Sequence, residues 1–243
     1  MAKQSSKFGK LYLIPSGLGE GSLHEVLPII IQQKVEELDN YIVENEKTAR
    51  RFIKNLLPEK SQPDLKFHLL NKFTEERELP SFLQACEQGL NMGLLSEAGC
   101  PGIADPGAKV VQIAHQKGIQ VVPLVGPSSV TLAMMASGLN GQNFTFHGYL
   151  PIDKHQRKKT LKNLERISLE QDQAQIFIET PYRNKQMFGD LKKVLHPHTK
   201  LCIGRELTLP NEFIKTKNIA QWKKEKLDLH KKPAVFIIQR EAI

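Results

Sequence analysis

Residues 94–107, LLSEAGCPGIADPG, constrain this chain more than any other stretch. The apolar run Gly93-Leu94-Leu95 breaks at once into a segment holding Gly99, Pro101, Gly102, Asp105, Pro106 and Gly107. Glycine lets backbone amides approach a ligand closely, and proline keeps the loop in one conformation. A strand that ends in such a loop and then enters the helix-like run Ala108–His115 is the pattern of a ligand-binding crossover in an α/β fold. A tight turn with no ligand is the plainer alternative. Two further breaks repeat the pattern. Leu11–Ile14 runs into Pro15-Ser16-Gly17-Leu18-Gly19-Glu20-Gly21, and Val121–Val125 into Gly126-Pro127-Ser128-Ser129. Glycines 17, 19 and 21 give G-x-G-x-G, which is not the dinucleotide fingerprint G-x-G-x-x-G, and no P-loop Lys-Ser/Thr follows. Three strand-like runs ending this way predict one end of a mostly parallel sheet whose loops converge on a ligand.

The alternation continues along the chain. Residues 11–125 read as strand, helix, strand, helix, strand, helix, strand, with helices over Val26–Leu38, Glu46–Leu57 and Glu76–Gly89. Pro28 falls near the start of the first of these, and Pro80 is a kink or late start in the third. Ser128–Ser137 is a small-residue helix closed by Gly138. From Phe144 the pattern restarts, with strands over 144–148, 175–179, 200–204 and 234–239 and helices over 158–167 and 184–195. The organisation expected is a disordered tail (1–10), an N-terminal α/β domain (11–138), a linker (139–143) and a C-terminal α/β domain (144–243).

With 40% hydrophobic and 25% charged residues, the composition is that of an ordinary soluble domain. No run approaches the roughly 20 apolar residues of a membrane span. The first residues, MAKQSSK, lack the apolar core of a secretory signal. Cys86, Cys100 and Cys202 are odd in number and widely spaced, which fits neither a disulfide framework nor a zinc ribbon and favours a cytoplasmic protein. Cys100 sits in the main loop, yet no His or Asn nearby supports a nucleophile. The eight histidines lack metal spacing; His196-Pro197-His198 reads as a surface turn, and no metal is expected. A net charge of +8 favours an anionic partner, nucleic acid first, and no membrane. Its basic clusters are 154–162 (Lys154, His155, Arg157, Lys158, Lys159, Lys162) and 215–232; solvated faces are the alternative for both. With aromatics at only 7%, base stacking on an aromatic platform is not indicated.

The segments LYLIPSGLG, LLSEAGCPGIADPG, VVPLVGPSSV, FTFHGYLP, FIETPYR and IGRELT, taken in order, resemble those of the tetrapyrrole methylase superfamily. They are most similar to its ribosomal RNA branch, the small-subunit rRNA (cytidine-2′-O)-methyltransferase I group, over roughly residues 11–209. That resemblance implies an S-adenosylmethionine-dependent methyltransferase with two α/β domains, the cofactor in the cleft between them, and a homodimer. It implies ribosomal RNA or the small ribosomal subunit as partner. Methylation of a tetrapyrrole or other small molecule, and a cofactor- or RNA-binding protein without catalysis, remain alternatives.

The chain departs from the family pattern in four places. The PTPIGN-like loop is PSGLGEGSLHE; AEDTRxT becomes Val43–Ala49, VENEKTA; the HExNE-like segment is NKFTE at 71–75; and the Asp of SDAG is Glu97. The first three lie where an acceptor is expected. Methyl transfer from a sulfonium depends on positioning, and the residues expected on the cofactor are Pro15, Ser16, Gly17, Glu97, Ala98, Gly99, Cys100, Ile103, Ser128, Ser129, Glu179 and Arg205. Ser128 also suits a helix cap, and Glu179 a structural role in the second domain. A hydroxyl acceptor benefits from a proton acceptor, and Glu44 is the candidate, with a carboxylate stabilising a helix N-terminus as its alternative. Arg183 and the pair Arg205-Glu206 suit RNA phosphates or internal ion pairs.

Overall fold

The structure is a computed structural model that describes residues 7–241. Its contacts divide the chain into two compact units, Met1–Pro127 and Ser128–Ile243. Residues 1–6 of the expected tail lie outside the described residues. The remainder of it is not a tail: Phe8 packs on the core of the first unit, Gly9 N donates to Cys86 O (2.8 Å) and Lys10 N to Asn91 Oδ1 (2.9 Å).

In the first unit the chain runs β1 (Leu11–Ile14), α1 (Leu23–Val26), α2 (Ile29–Glu37), β2 (Asn40–Val43), α3 (Glu46–Leu56) and β3 (Lys66–Leu69). A 3₁₀ turn (Glu76–Glu78), α4 (Leu79–Phe82), α5 (Gln84–Glu87), β4 (Met92–Leu95), α6 (Ala108–Gln116) and β5 (Val121–Pro123) complete it. All five strands are parallel, in the order β3-β2-β4-β1-β5. Alternate residues serve opposite faces: Tyr12, Ile14, Tyr41 and Val43 join one core with α2 and α3, while Leu11, Ile42, Met92 and Leu94 join another with α4, α5 and α6. Burial on both faces explains why β1, β2 and β4 are largely apolar runs without polar alternation.

Two of the expected helices are broken. Residues 26–38 form α1 and α2 instead of one helix, because Leu27, preceding Pro28, is held extended (φ −106°, ψ 129°) and Pro28 caps α2. In 76–89, Pro80 lies in the first turn of α4, the late start, and the chain breaks again at Leu83.

The second unit contains α7 (Ser129–Ser137), β6 (Phe144–Tyr149), α8 (Lys154–Gln171), β7 (Ala174–Glu179), α9 (Asn184–Val194), β8 (Lys200–Arg205), β9 (Phe213–Asn218), α10 (Ile219–Trp222) and β10 (Ala234–Gln239). Its sheet is mixed, in the order β6-β7-β10-β8-β9, with only β6 and β7 parallel. Phe177, Phe188, Leu191, Trp222 and Phe236 centre the core.

The expected boundary at 139–143 is corrected by α7. This helix, SVTLAMMAS, is apolar nearly all round, and it packs on β8, β9 and β10. Thr216 Oγ1 donates to Ser137 O (2.6 Å), and Ala133 is fully buried in contact range of Gly204. The division therefore falls at Pro127/Ser128, ahead of the helix. Gly138 closes α7 in the left-handed region (φ 66°), as the sequence requires.

Candidate functional site

The first sheet fixes where its loops meet. β1 and β4 are neighbours, yet the chain leaves β1 across β4 to reach β2 and leaves β4 across β1 to reach β5. Such a reversal opens a crevice at the carboxyl ends of the two strands. The loops found there are Pro15–Gly21 and Ser96–Gly107. They are tied together: Ser16 N donates to Gly99 O (3.0 Å). Gly126, after β5, closes over Pro15 so tightly that a Cβ would collide with the proline ring. Asp105 Oδ1 accepts from Gly102 N (2.6 Å) and Gly107 N (2.8 Å), which fixes the β4 loop from within.

Between these loops and α3 lies a cleft of about 440 Å³. Ser16–Gly21 and Ser96–Ala98 form one wall, and Val43, Thr48, Arg51, Phe52 and Asn55 the other. Asn45 sets the second wall by capping α3, its side chain accepting from Lys47 N (2.9 Å) and Thr48 N (3.3 Å). Thr48 Oγ1 is 2.5 Å from Glu97 Oε1 and 3.0 Å from Asn45 O, so its single proton is shared between them. Glu97 itself is exposed. At the mouth, the Arg51 guanidinium lies 3.6 Å from Glu20, both largely in solvent. Ser16 is 5% exposed, and its Oγ has no hydrogen-bond partner among the described residues. Buried polar groups are nearly always hydrogen-bonded, so this hydroxyl stands out in the cleft wall.

The model of the tetrapyrrole (corrin/porphyrin) methylases matches residues 10–222. The chain belongs to this family. A ribosomal RNA small subunit methyltransferase I from Vibrio cholerae is 30% identical over 214 residues, covering 87% of this chain and 69% of that protein. The protein of the same name from Haemophilus influenzae is 32% identical over 176 residues, covering 71% of this chain and 61% of its own length, so the match spans less than two thirds of that relative. Among solved structures, the methyltransferase CobJ overlays with a TM-score of 0.63 at 16% identity, covering 96% of this chain and 94% of that one. The fold is therefore the α/β fold of the tetrapyrrole methylases.

In this tetrapyrrole methylase chain the expected residues divide into three groups. Ser16, Gly17, Glu97 and Ala98 line the cleft. Pro15 and Gly99 are buried in the tie behind it, Cys100 is half-buried, and Ile103 is 51% exposed further along the loop. Cys100 Sγ faces Pro127 O (3.4 Å), and burial pushes its thiol up, away from the thiolate a nucleophile needs. The rest belong to the second unit. Ser128 caps α7 by accepting from Thr131 N (3.4 Å), and Ser129 opens the helix. Glu179 is buried, and its Oε1 accepts from Thr180 N (2.7 Å) and from Arg183 Nε (3.0 Å) and Nη2 (2.6 Å). Arg205 Nη1 donates to Asp228 O (2.9 Å), while its Nε lies 3.3 Å from Glu206 and its guanidinium covers Phe213. For Arg183 and Arg205 the internal ion pair is what the structure contains.

Glu44 does not line the cleft. It is half-buried, and burial first, then the charges of Asp105 and Glu97, push its carboxyl above the ordinary range. In the basic run 154–162, Asp153 caps α8 by accepting from Gln156 N (2.8 Å), so the helix begins four residues earlier than expected. Arg157 turns inward, bonding Asp190 through Nε (3.0 Å) and Nη2 (2.6 Å), with both side chains buried. It is thereby removed from the basic face. His196-Pro197-His198 forms the turn between α9 and β8, held by Glu165 Oε1 accepting from His196 N (2.7 Å).

The sequence alone does not single out the α3 wall. Its signal is Thr48, Phe52 and Asn55 at i, i+4 and i+7, one face of a helix, where the amphipathic reading sees only core and solvent. Among the described residues no helix is long and apolar enough to cross a membrane.

Proposed function

We propose that this protein is an S-adenosylmethionine-dependent methyltransferase acting on a ribose 2′-hydroxyl of small-subunit ribosomal RNA. It works in the cytoplasm as a homodimer, with the cofactor taken between its two α/β domains as the family resemblance implies. The observation that carries the reading is the cleft at the β1/β4 reversal, lined by an exposed carboxylate, Glu97, and by Ser16, whose hydroxyl has no partner among the described residues, in a member of this family.

The residues fit the cofactor. Loop 96–103 offers backbone groups held by Asp105 and the Ser16–Gly99 tie, and Ser16 Oγ is a polar atom in need of a partner. When bound, S-adenosylmethionine supplies an electrophilic methyl group. Gly99, Cys100, Ile103, Ser128 and Ser129 belong to the cofactor side, with Pro15 and Gly17 supporting it; Glu97 and Ala98 stand where donor and acceptor meet. Glu179 and Arg205 support strand ends of the second unit.

A hydroxyl is a weak nucleophile, and a proton acceptor must lie within hydrogen-bond reach of it; geometry decides first and pKa second. Glu97 is our candidate: it lines the cleft an acceptor would enter, and Thr48 Oγ1 hydrogen-bonds it. We therefore move the role of proton acceptor from Glu44 to Glu97. Glu44 does not line the cleft, and its ionisation is opposed first by burial and then by the charges of Asp105 and Glu97.

The test uses radiolabelled S-adenosylmethionine and small ribosomal subunits from a strain lacking the gene. Label in RNA, resistant to base hydrolysis of the adjacent linkage as a 2′-O-methyl is, supports the reading. Cofactor binding without label in RNA, or label in a porphyrinoid instead, contradicts it.

A further inference from the structure

We infer that the cleft between the glycine loop 17–21 and α3 is the pocket for one nucleotide of a single-stranded RNA, with Arg51 taking the adjoining phosphate. The inference rests on the methyltransferase reading for the reaction that binding leads to, but not for the binding itself.

Size and charge both argue for it. A volume of about 440 Å³ lies in the lower part of the range for small-molecule sites, roughly 300–1,000 Å³. The charged side chains lining it are Glu20, Arg51 and Glu97, two carboxylates and one guanidinium. A polycarboxylate such as a tetrapyrrole would meet like charge on two sides and a single cation. A nucleotide carries its one charge at the phosphate and is otherwise polar and neutral, so it places negative charge only at the rim. Arg51 stands at that rim, 63% exposed, held by nothing stronger than a 3.6 Å contact to a 90% exposed Glu20. An exposed pair of this kind is worth little, so Arg51 is available to a phosphate, whose bidentate recognition suits guanidinium.

The α3 wall offers what a nucleoside needs: Phe52 presents an aromatic side chain and Asn55 an exposed amide with donor and acceptor. Enzymes that work on one nucleotide commonly take it out of its stack into such a pocket. The hydrogen bonds of an amide distinguish base edges, whereas a phosphate contact only positions the strand. The ribose then comes to the end of the cleft where Glu97 lies.

The test is fluorescence-anisotropy titration of the full chain, saturated with S-adenosylhomocysteine, with short labelled single-stranded homopolymers of each base. Arg51→Ala is expected to weaken binding about tenfold for every sequence and to lower the dependence of log K on log salt by about one ion. Asn55→Ala is expected to narrow the differences among the four homopolymers. Both positions are exposed, and a thermal melt of each variant checks that it folds. Phe52→Leu, which keeps an apolar side chain on α3, is expected to weaken all four about 5- to 100-fold through lost stacking. Unchanged RNA affinity in Arg51→Ala and Asn55→Ala overturns the inference even where S-adenosylhomocysteine binds and label still enters RNA. Uroporphyrin binding that is lost in Phe52→Leu while RNA binding is kept overturns it as well. Arg51-dependent RNA binding with no affinity for S-adenosylhomocysteine supports the pocket and contradicts the methyl-transfer reading instead.

Discussion

Glu97 and Glu179 stand at similar points of two sheets, where a strand gives way to a loop, but their surroundings differ. Glu179 is buried, and its Oε1 accepts from a backbone amide and from two nitrogens of Arg183. Glu97 is exposed and has the Thr48 hydroxyl as its side-chain partner. The same contrast holds around them. Near the β8 end, Glu206 lies within ion-pair range of both Arg205 and Lys232, although Arg205 Nε and Glu206 Oε2 make no hydrogen bond; in the first unit Arg51 makes one exposed ion contact. The Glu179 carboxylate is tied into its own unit by a buried ion pair, whereas the charges that line the first-unit cleft are exposed. A carboxylate at a strand end is thus no indicator of chemistry until its partners are counted.

Mutation can probe both sides of this contrast. The largest effect belongs to the structural side. Arg157→Ala leaves Asp190 buried and unpaired and is expected to cost about 3–5 kcal/mol in denaturant unfolding. If it costs as little as an exposed pair, the buried charges of the second unit are not structural. On the cleft side, Thr48→Val removes the hydrogen bond to Glu97 and is expected to lower kcat about 10- to 100-fold. Thr48→Ser is expected to restore it, and the melting temperature to move little in either. Asn45→Ala removes the cap of α3 at a cost of about 1 kcal/mol. Because the cap aligns Thr48, methyl transfer is expected to fall with it, measured alongside the melt.

The smallest effect concerns Glu44. Its carboxyl is raised in the folded state by burial and neighbouring acids. The stability it contributes is therefore complete below the ordinary carboxylate pKa and is lost as pH rises through the higher folded value. Glu44→Gln should then melt above the parent at neutral pH, and the difference should shrink toward pH 4. A difference that grows on acidification contradicts this environment.

The glycine and proline loops after β1 and β4 were legible because their chemistry is local: a residue type decides its own backbone there. Fragmentation at Pro28 and Leu83 was not, since helical spacing runs on through both breaks. For α7, an evenly apolar helix does not say which face is covered: Ala133, Met134 and Ser137 are buried, while Met135 is 76% exposed. Arg157 reads as one more cation in a basic run, and its partner Asp190 lies 33 residues away, beyond any local pattern. β3 and β9, at the edges of their sheets, carry mixed sequences, KFHL and FIKTKN, with little periodic signal. In the cleft, Ser16, Gly17, Glu97 and Ala98 came from loop chemistry, whereas Thr48, Phe52 and Asn55 needed the helix to be docked before their shared face had a meaning.

Chemistry, in our proposal, belongs to the exposed carboxylate of the first unit and not to its buried, ion-paired counterpart. The decisive measurement is label transfer from S-adenosylmethionine into small-subunit RNA with Glu97→Gln and Glu179→Gln side by side, each rate corrected for the folded fraction. Glu97→Gln is expected to lose about 10²- to 10⁴-fold, and Glu179→Gln to keep a nearly unchanged rate per folded molecule. Full activity in Glu97→Gln, or the larger loss in a folded Glu179→Gln, would contradict it.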